Sequence, residues 1–71
     1  MPAQSAGRIE MMLDALDAAA HPLDLRSPGF NLHELKGDRK GTWAISVTGS
    51  LRITFRFEGA DAYDVCLEDY H

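Results

Sequence analysis

The residues best equipped for chemistry in this 71-residue chain are cationic or proton-carrying, and they gather in two places. Arg52 and Arg56 share one face of the run Leu51–Phe57, whose other face holds Leu51, Ile53, Phe55 and Phe57. Strict alternation of this length belongs to a half-buried β-strand. Two guanidinium groups on its polar face suit an anionic partner. The chain then closes on Glu68-Asp69-Tyr70-His71, where Tyr70 and His71 can both move protons. A histidine with an unperturbed pKa of about 6.5 serves as acid or base near neutral pH. Set beside a strand arginine, such a pair would supply what metal-free RNA cleavage needs. That reaction requires a base for the 2′-OH, cations for the phosphorane charge, and an acid for the leaving 5′-oxygen. Each group also has a plainer reading. The arginines could simply pair with carboxylates across the sheet, where exposed ion pairs contribute about 0–1 kcal/mol. A terminal Tyr-His could equally be a frayed end. From spacing alone, Arg52 and Arg56 are equal candidates.

Other chemistries find no pattern. His21, His33 and His71 lie far apart and at no ligand spacing with a cysteine or paired carboxylate, so the reading is of no metal and no cofactor. No Ser-His-Asp arrangement and no glycine-rich phosphate loop leading into a helix appears. Cys66 is alone, which leaves no internal disulfide, and it reads as a small strand residue.

A net charge of −4 argues against a nucleic-acid partner only until its distribution is considered. Lys36, Arg39, Lys40, Arg52 and Arg56 fall in one 21-residue window with the single acid Asp38, so that window carries +4 and the remainder −8. Such segregation fits a local anion site, and equally a basic hairpin held by acidic neighbours. A hydrophobic content of 45% is ordinary for a globular chain. No run of about 18 apolar residues exists to span a membrane. The polar N-terminus, without a hydrophobic signal core, points to a cytoplasmic protein.

The elements that must position these groups form one domain, residues 1–71. Ile9, Met12, Leu13, Leu16 and Ala20 recur at helical steps and predict a helix over 3–20, ended by His21-Pro22, with Met11 and Met12 as core filling. Residues 23–30 read as a connector with a turn at Ser27-Pro28-Gly29. Strands are predicted over 31–35, 42–47, 51–58 and 62–68, and Lys36–Gly41 is a polar loop bracketed by glycines. A three-residue Thr48-Gly49-Ser50 hairpin, with Gly49 at positive φ, sets Ser46 opposite Arg52 and Ala44 opposite Thr54. A Gly59-Ala60-Asp61 loop then sets Phe57 against Tyr63, Phe55 against Val65 and Ile53 against Leu67. In that register Arg56 faces Asp64 and Arg52 faces Glu68.

The ordered set Leu35-Lys36-Gly37-Asp38-Arg39-Lys40-Gly41, Trp43-Ala44-Ile45-Ser46-Val47, Arg52-Ile53-Thr54-Phe55-Arg56-Phe57, Asp61-Ala62-Tyr63-Asp64-Val65 and Asp69-Tyr70-His71 resembles the HigB-type toxins of the RelE/ParE superfamily. These are also called plasmid maintenance system killer proteins. The resemblance covers essentially the whole chain. It implies an α+β, RelE-like fold, with an N-terminal helix packed on an antiparallel meander of three to four strands. It implies a cytoplasmic, metal-independent mRNA endonuclease acting in the ribosomal A site and neutralised by a helix-turn-helix antitoxin of the HigA type. Carried over residue by residue, Lys36 would contact substrate phosphate and Arg52 would stabilise transition-state charge. Asp69, Tyr70 and His71 would form the catalytic C-terminal stretch, with His71 as acid/base, and Arg39 and Lys40 would hold the RNA backbone.

The chain departs from the family pattern twice. Ser46 stands where many members carry a second arginine. Members also usually begin with a strand and a first helix ahead of the part that matches Met1 onward. An edge and an apolar face left open by those elements predict a homodimer or an obligate partner. Two other readings follow: an inactive toxin-fold protein serving as a binding or dimerisation module, and the gyrase-poisoning ParE branch. The combination of Lys36, Arg52 and the terminal Tyr-His argues against the ParE branch.

Overall fold

The computed structural model describes residues 3–27 and 29–69. One helix, α1 (Ala3–Ala18), precedes four strands: β1 (His33–Glu34), β2 (Trp43–Ser46), β3 (Leu51–Glu58) and β4 (Asp61–Asp69). All neighbouring strands are antiparallel and follow chain order β1-β2-β3-β4. The helix lays Met12 and Leu16 onto Ile45, Val47, Ile53 and Phe55 of the sheet, with Leu25 and Phe30 closing the cluster. This is the α+β arrangement the sequence predicts: an N-terminal helix on a four-stranded meander.

The apolar stripe of α1 is narrower than its periodicity suggests. Met12 is fully buried and Leu16 nearly so, with Ile9, Ala15 and Ala19 packed partly against the core. Leu13 and Ala20 are exposed. The Met11-Met12 pair divides, because adjacent helical residues point about 100° apart; Met11 is exposed and only Met12 fills the core. The helix also ends at Ala18 rather than Ala20. The Asp24 carboxylate accepts the backbone N–H groups of Ala20 (3.0 Å) and His21 (3.2 Å). His21 Nδ1 accepts the N–H of Leu23 at 3.1 Å, capping a 3-10 turn over Pro22–Leu25. These caps draw the chain out of the helix before the proline constraint acts.

The first strand contains two residues rather than five, because Gly29 (φ 89°) and Asn31 (φ 53°) both occupy left-handed conformations that interrupt extended backbone. Across the β2–β3 hairpin, Ala44↔Thr54 and Ser46↔Arg52 pair as predicted. The turn itself differs. Gly49 does not take a positive φ; Thr48 Oγ1 instead accepts the N–H groups of Ser50 (3.4 Å) and Leu51 (3.2 Å), so a side chain closes the loop.

The β3–β4 hairpin carries the larger correction. Near Arg52 the predicted register holds, with Arg52↔Glu68 and Ile53↔Leu67. Near the turn it is shifted by one: Glu58 pairs with Asp61, Phe57 with Ala62 and Arg56 with Tyr63. The connection is the two residues Gly59-Ala60, with Gly59 at φ 61°. A β-bulge between Thr54 and Arg56 absorbs the extra residue, and Asp64 there adopts φ 52°.

Candidate active site

Strand alternation sends Arg52, Thr54 and Arg56 of β3 to the side of the sheet away from the helix. Across from Arg52 on the same side stands Glu68 of β4. The Lys36–Gly41 loop, tightened by a 3-10 turn at Gly37–Arg39, folds over this side. Arg39 reaches from it to Glu68, and a Cβ placed on Gly41 would sit 3.5 Å from a terminal nitrogen of Arg56. The face is therefore no simple solvated surface: Ala44 and Thr54, which point toward it, are buried.

Glu68 is the hub. Its Oε1 accepts a hydrogen bond from Arg52 Nε at 3.0 Å and forms an ion pair with Arg52 Nη2 at 2.9 Å. The same carboxylate takes a bidentate pair from Arg39, Nη1 to Oε1 at 3.1 Å and Nη2 to Oε2 at 2.6 Å. Two guanidinium groups thus share one carboxylate. The three side chains differ in exposure: Arg52 is 18% exposed, Glu68 29% and Arg39 44%. The hydrogen bonds from Arg39, then those from Arg52, hold the Glu68 carboxyl below its ordinary value of 4.5, against the opposing effect of partial burial. The same contact raises Arg39.

The sequence places Arg52 opposite Glu68 correctly, but it gives no hint that Arg39 joins them. Strand periodicity ranks cross-strand neighbours and is silent on where a loop residue will reach. Arg56 does not meet Asp64. The one-residue shift at the turn puts its guanidinium 5.9 Å from the ring centroid of Tyr63, a cation–π contact in place of the predicted ion pair.

Lys36 and Lys40 are exposed at the two ends of the 3-10 turn. With Glu34, Leu35 and Gly37 they line an open pocket of about 240 Å³. Glu34 fastens the loop by accepting the N–H of Gly41 at 3.0 Å, and Leu35 N–H donates to Thr42 O at 2.8 Å. Asp69 pairs with Leu51, and alternation therefore directs it to the other side of the sheet from Arg52. Tyr70 and His71 lie outside the described residues.

A family profile described as "RelE-like toxin of type II toxin-antitoxin system HigB" matches residues 1–71. The chain belongs to this family of HigB-like toxins. It is also 46% identical to the Endoribonuclease HigB of Proteus vulgaris over 71 residues, spanning 100% of this chain and 77% of that protein. As a HigB-like toxin it belongs to a type II toxin–antitoxin system, and an antitoxin is therefore its expected counterpart. In this HigB-like chain Ser46 faces Arg52 across the β2–β3 pair, so the cationic partner of Arg52's surroundings comes from the loop, as Arg39, rather than from the neighbouring strand. No helix among the described residues is long and apolar enough to cross a membrane.

Proposed function

We propose that this HigB-like toxin is a cytoplasmic endoribonuclease that cleaves mRNA on the ribosome, using side chains and no metal. The observation that carries the reading is the placement of Arg52: a partly buried guanidinium on the polar sheet face, near the end of the strand that leads to Tyr70-His71, with Arg39 joined to it through Glu68. Its similarity to a protein named Endoribonuclease HigB supports the same chemistry. In this mechanism Arg52 stabilises the charge that develops on the phosphorane. A guanidinium already fixed by a hydrogen bond and an ion-pair contact to one carboxylate oxygen needs little reorganisation as that charge grows. Lys36 and Lys40, exposed beside an open pocket, hold the RNA backbone together with Arg39. His71 acts as the acid or base and Tyr70 contributes a phenolic proton. Asp69 completes the catalytic C-terminal stretch with Tyr70 and His71.

The partners that complete this reading are mRNA on the ribosome, a helix-turn-helix antitoxin of the HigA type and a second copy of the chain. The homodimer draws support from β4, which pairs only with β3 among the described residues and leaves Val65 and Leu67 exposed.

The test is expression of the chain with growth and mRNA 5′ ends followed together. Growth arrest with new mRNA ends, relieved by Arg52→Ala and by His71→Ala, is the expected result. A single substitution of this kind should reduce cleavage by about 10²-fold or more. Normal growth and unchanged mRNA ends with the unmutated chain would favour the alternative, a toxin-fold binding or dimerisation module without nuclease activity.

A further inference from the structure

Glu68 has no part in the reaction outlined above, yet its carboxylate stands where an anionic substrate would be expected to bind. Its two oxygens accept three hydrogen bonds from two arginines, Arg52 Nε on one oxygen and a fork from Arg39 across both, and Arg52 Nη2 adds an ion-pair contact to the first oxygen. A planar anion bridging two guanidinium forks presents the geometry that a phosphodiester's two non-bridging oxygens offer. We propose that Glu68 is an internal stand-in for substrate phosphate, which RNA displaces from Arg39 while Glu68 keeps Arg52 in position. This inference rests on the nucleic-acid reading of the site, but not on cleavage.

The two arginines divide the roles by their surroundings. Arg52 sits on a paired strand directly across from Glu68, is 18% exposed, and makes a hydrogen bond and an ion-pair contact to one oxygen. That contact is the less accessible of the two, held between side chains of directly paired strand residues. Arg39 sits on a loop turn and is 44% exposed, and among the described residues its side chain bonds to Glu68. Its bond to Glu68 is therefore the exchangeable one. The carboxylate is held ionised by both arginines, so it remains an effective competitor at neutral pH. Glu68 is accordingly a positioning residue for Arg52 and a brake on the anion affinity of Arg39. The Lys36–Gly41 loop, which also carries Lys36 and Lys40, is docked by this bond until an RNA backbone replaces it.

The probe is a short single-stranded oligoribonucleotide with 2′-O-methyl groups, which binds but cannot be cut through its 2′ oxygen. Its affinity for the full chain is measured across a salt series. Removing the Glu68 charge with Glu68→Gln should tighten binding roughly three- to tenfold at low salt and steepen the salt dependence by about 0.7 for each phosphate newly engaged. Glu68→Asp keeps the charge and should retain the weaker binding. Adding Arg39→Ala to Glu68→Gln should remove most of the gain. Unchanged or weaker binding by a folded Glu68→Gln variant would overturn the proposal. A second readout leaves Glu68 intact: in the unmutated chain the arginine Nε–H resonance of Arg39 should shift on adding the oligonucleotide while that of Arg52 stays hydrogen-bonded, and an unmoved Arg39 signal would equally overturn it. Because the probe is uncleavable, tighter binding without cleavage of unmodified mRNA would overturn the nuclease reading alone. Cleavage with no binding gain would overturn only the role of Glu68.

Discussion

At the scale of single residues, the site is an electrostatic balance set by Glu68. Two guanidinium groups compete for one carboxylate, and their hydrogen bonds stabilise its ionised form. The sign of the pH dependence follows. The folded chain holds Glu68 below its ordinary value of 4.5, so the stabilisation is complete above that value and is lost as pH falls through the lower, folded value. Thermal melting should thus be insensitive to Glu68 between pH 7 and about 5 and should drop at more acid pH. In Glu68→Gln the acid drop should be shallower, measured by circular dichroism across a pH series. Arg56 belongs to a different balance. Its contact is the ring of Tyr63, and its removal should leave the Arg39–Glu68–Arg52 unit in place.

At the scale of elements, the β3–β4 hairpin decides which groups share a face. Gly59-Ala60 turns the chain one residue earlier than the loop composition suggests, and the bulge at Asp64 restores the alternation that brings Glu68 to Arg52. The bulge thus joins a tight turn at one end to the site at the other. Asp64 sits at φ 52°, a region that short polar residues tolerate and β-branched ones do not. Asp64→Gly should be neutral or mildly stabilising, whereas Asp64→Val should cost about 1–2 kcal/mol, read from the denaturation midpoint. If Asp64→Val moved Glu68 out of register, RNA binding would change with it. Another element-scale device is Arg8 of α1, whose Nε donates to Val47 O at 2.7 Å and whose Nη2 donates to Gly29 O at 2.6 Å. It ties the helix to the end of β2 and to the connector, which fixes how the helix covers the sheet.

At the scale of the whole molecule, a chain of 71 residues has little core to spend. Domains of this size bury only about 60% of the surface their unfolded chains expose. The helix covers the part of the sheet around Ile45, Ile53 and Phe55, all essentially inaccessible, while Val65 and Leu67 of β4 remain 42% and 48% exposed. Uncovered apolar side chains on an outer strand are a site of association. A concentration-dependent rise in sedimentation coefficient is therefore expected at micromolar to high-micromolar concentrations, and Leu67→Lys should abolish it. A monomer across that range would count against the homodimer. The same surface is available to an antitoxin, and a complex in which Leu67→Lys weakens antitoxin binding but not self-association would assign it to that partner instead.

Much of this architecture is legible in the sequence because it depends on periodicity. The alternation of Leu51–Phe57 identifies the strand, its two faces and the pairing of Arg52 with Ser46 and Glu68, since a side-chain period of two allows no intermediate solution. The ordered motifs from Lys36 to His71 identify the toxin family, because many positions must agree at once. What only the tertiary structure decides is what periodicity does not encode. A backbone turn shortened by one residue moves Tyr63 onto Arg56, and a loop of no regular period carries Arg39 across the sheet to Glu68. Asp69, adjacent to Glu68 in the chain, faces the other way for the same geometric reason that makes the strand readable. Local sequence determines which residues can lie on a face; the path of the turns and loops determines which of them meet.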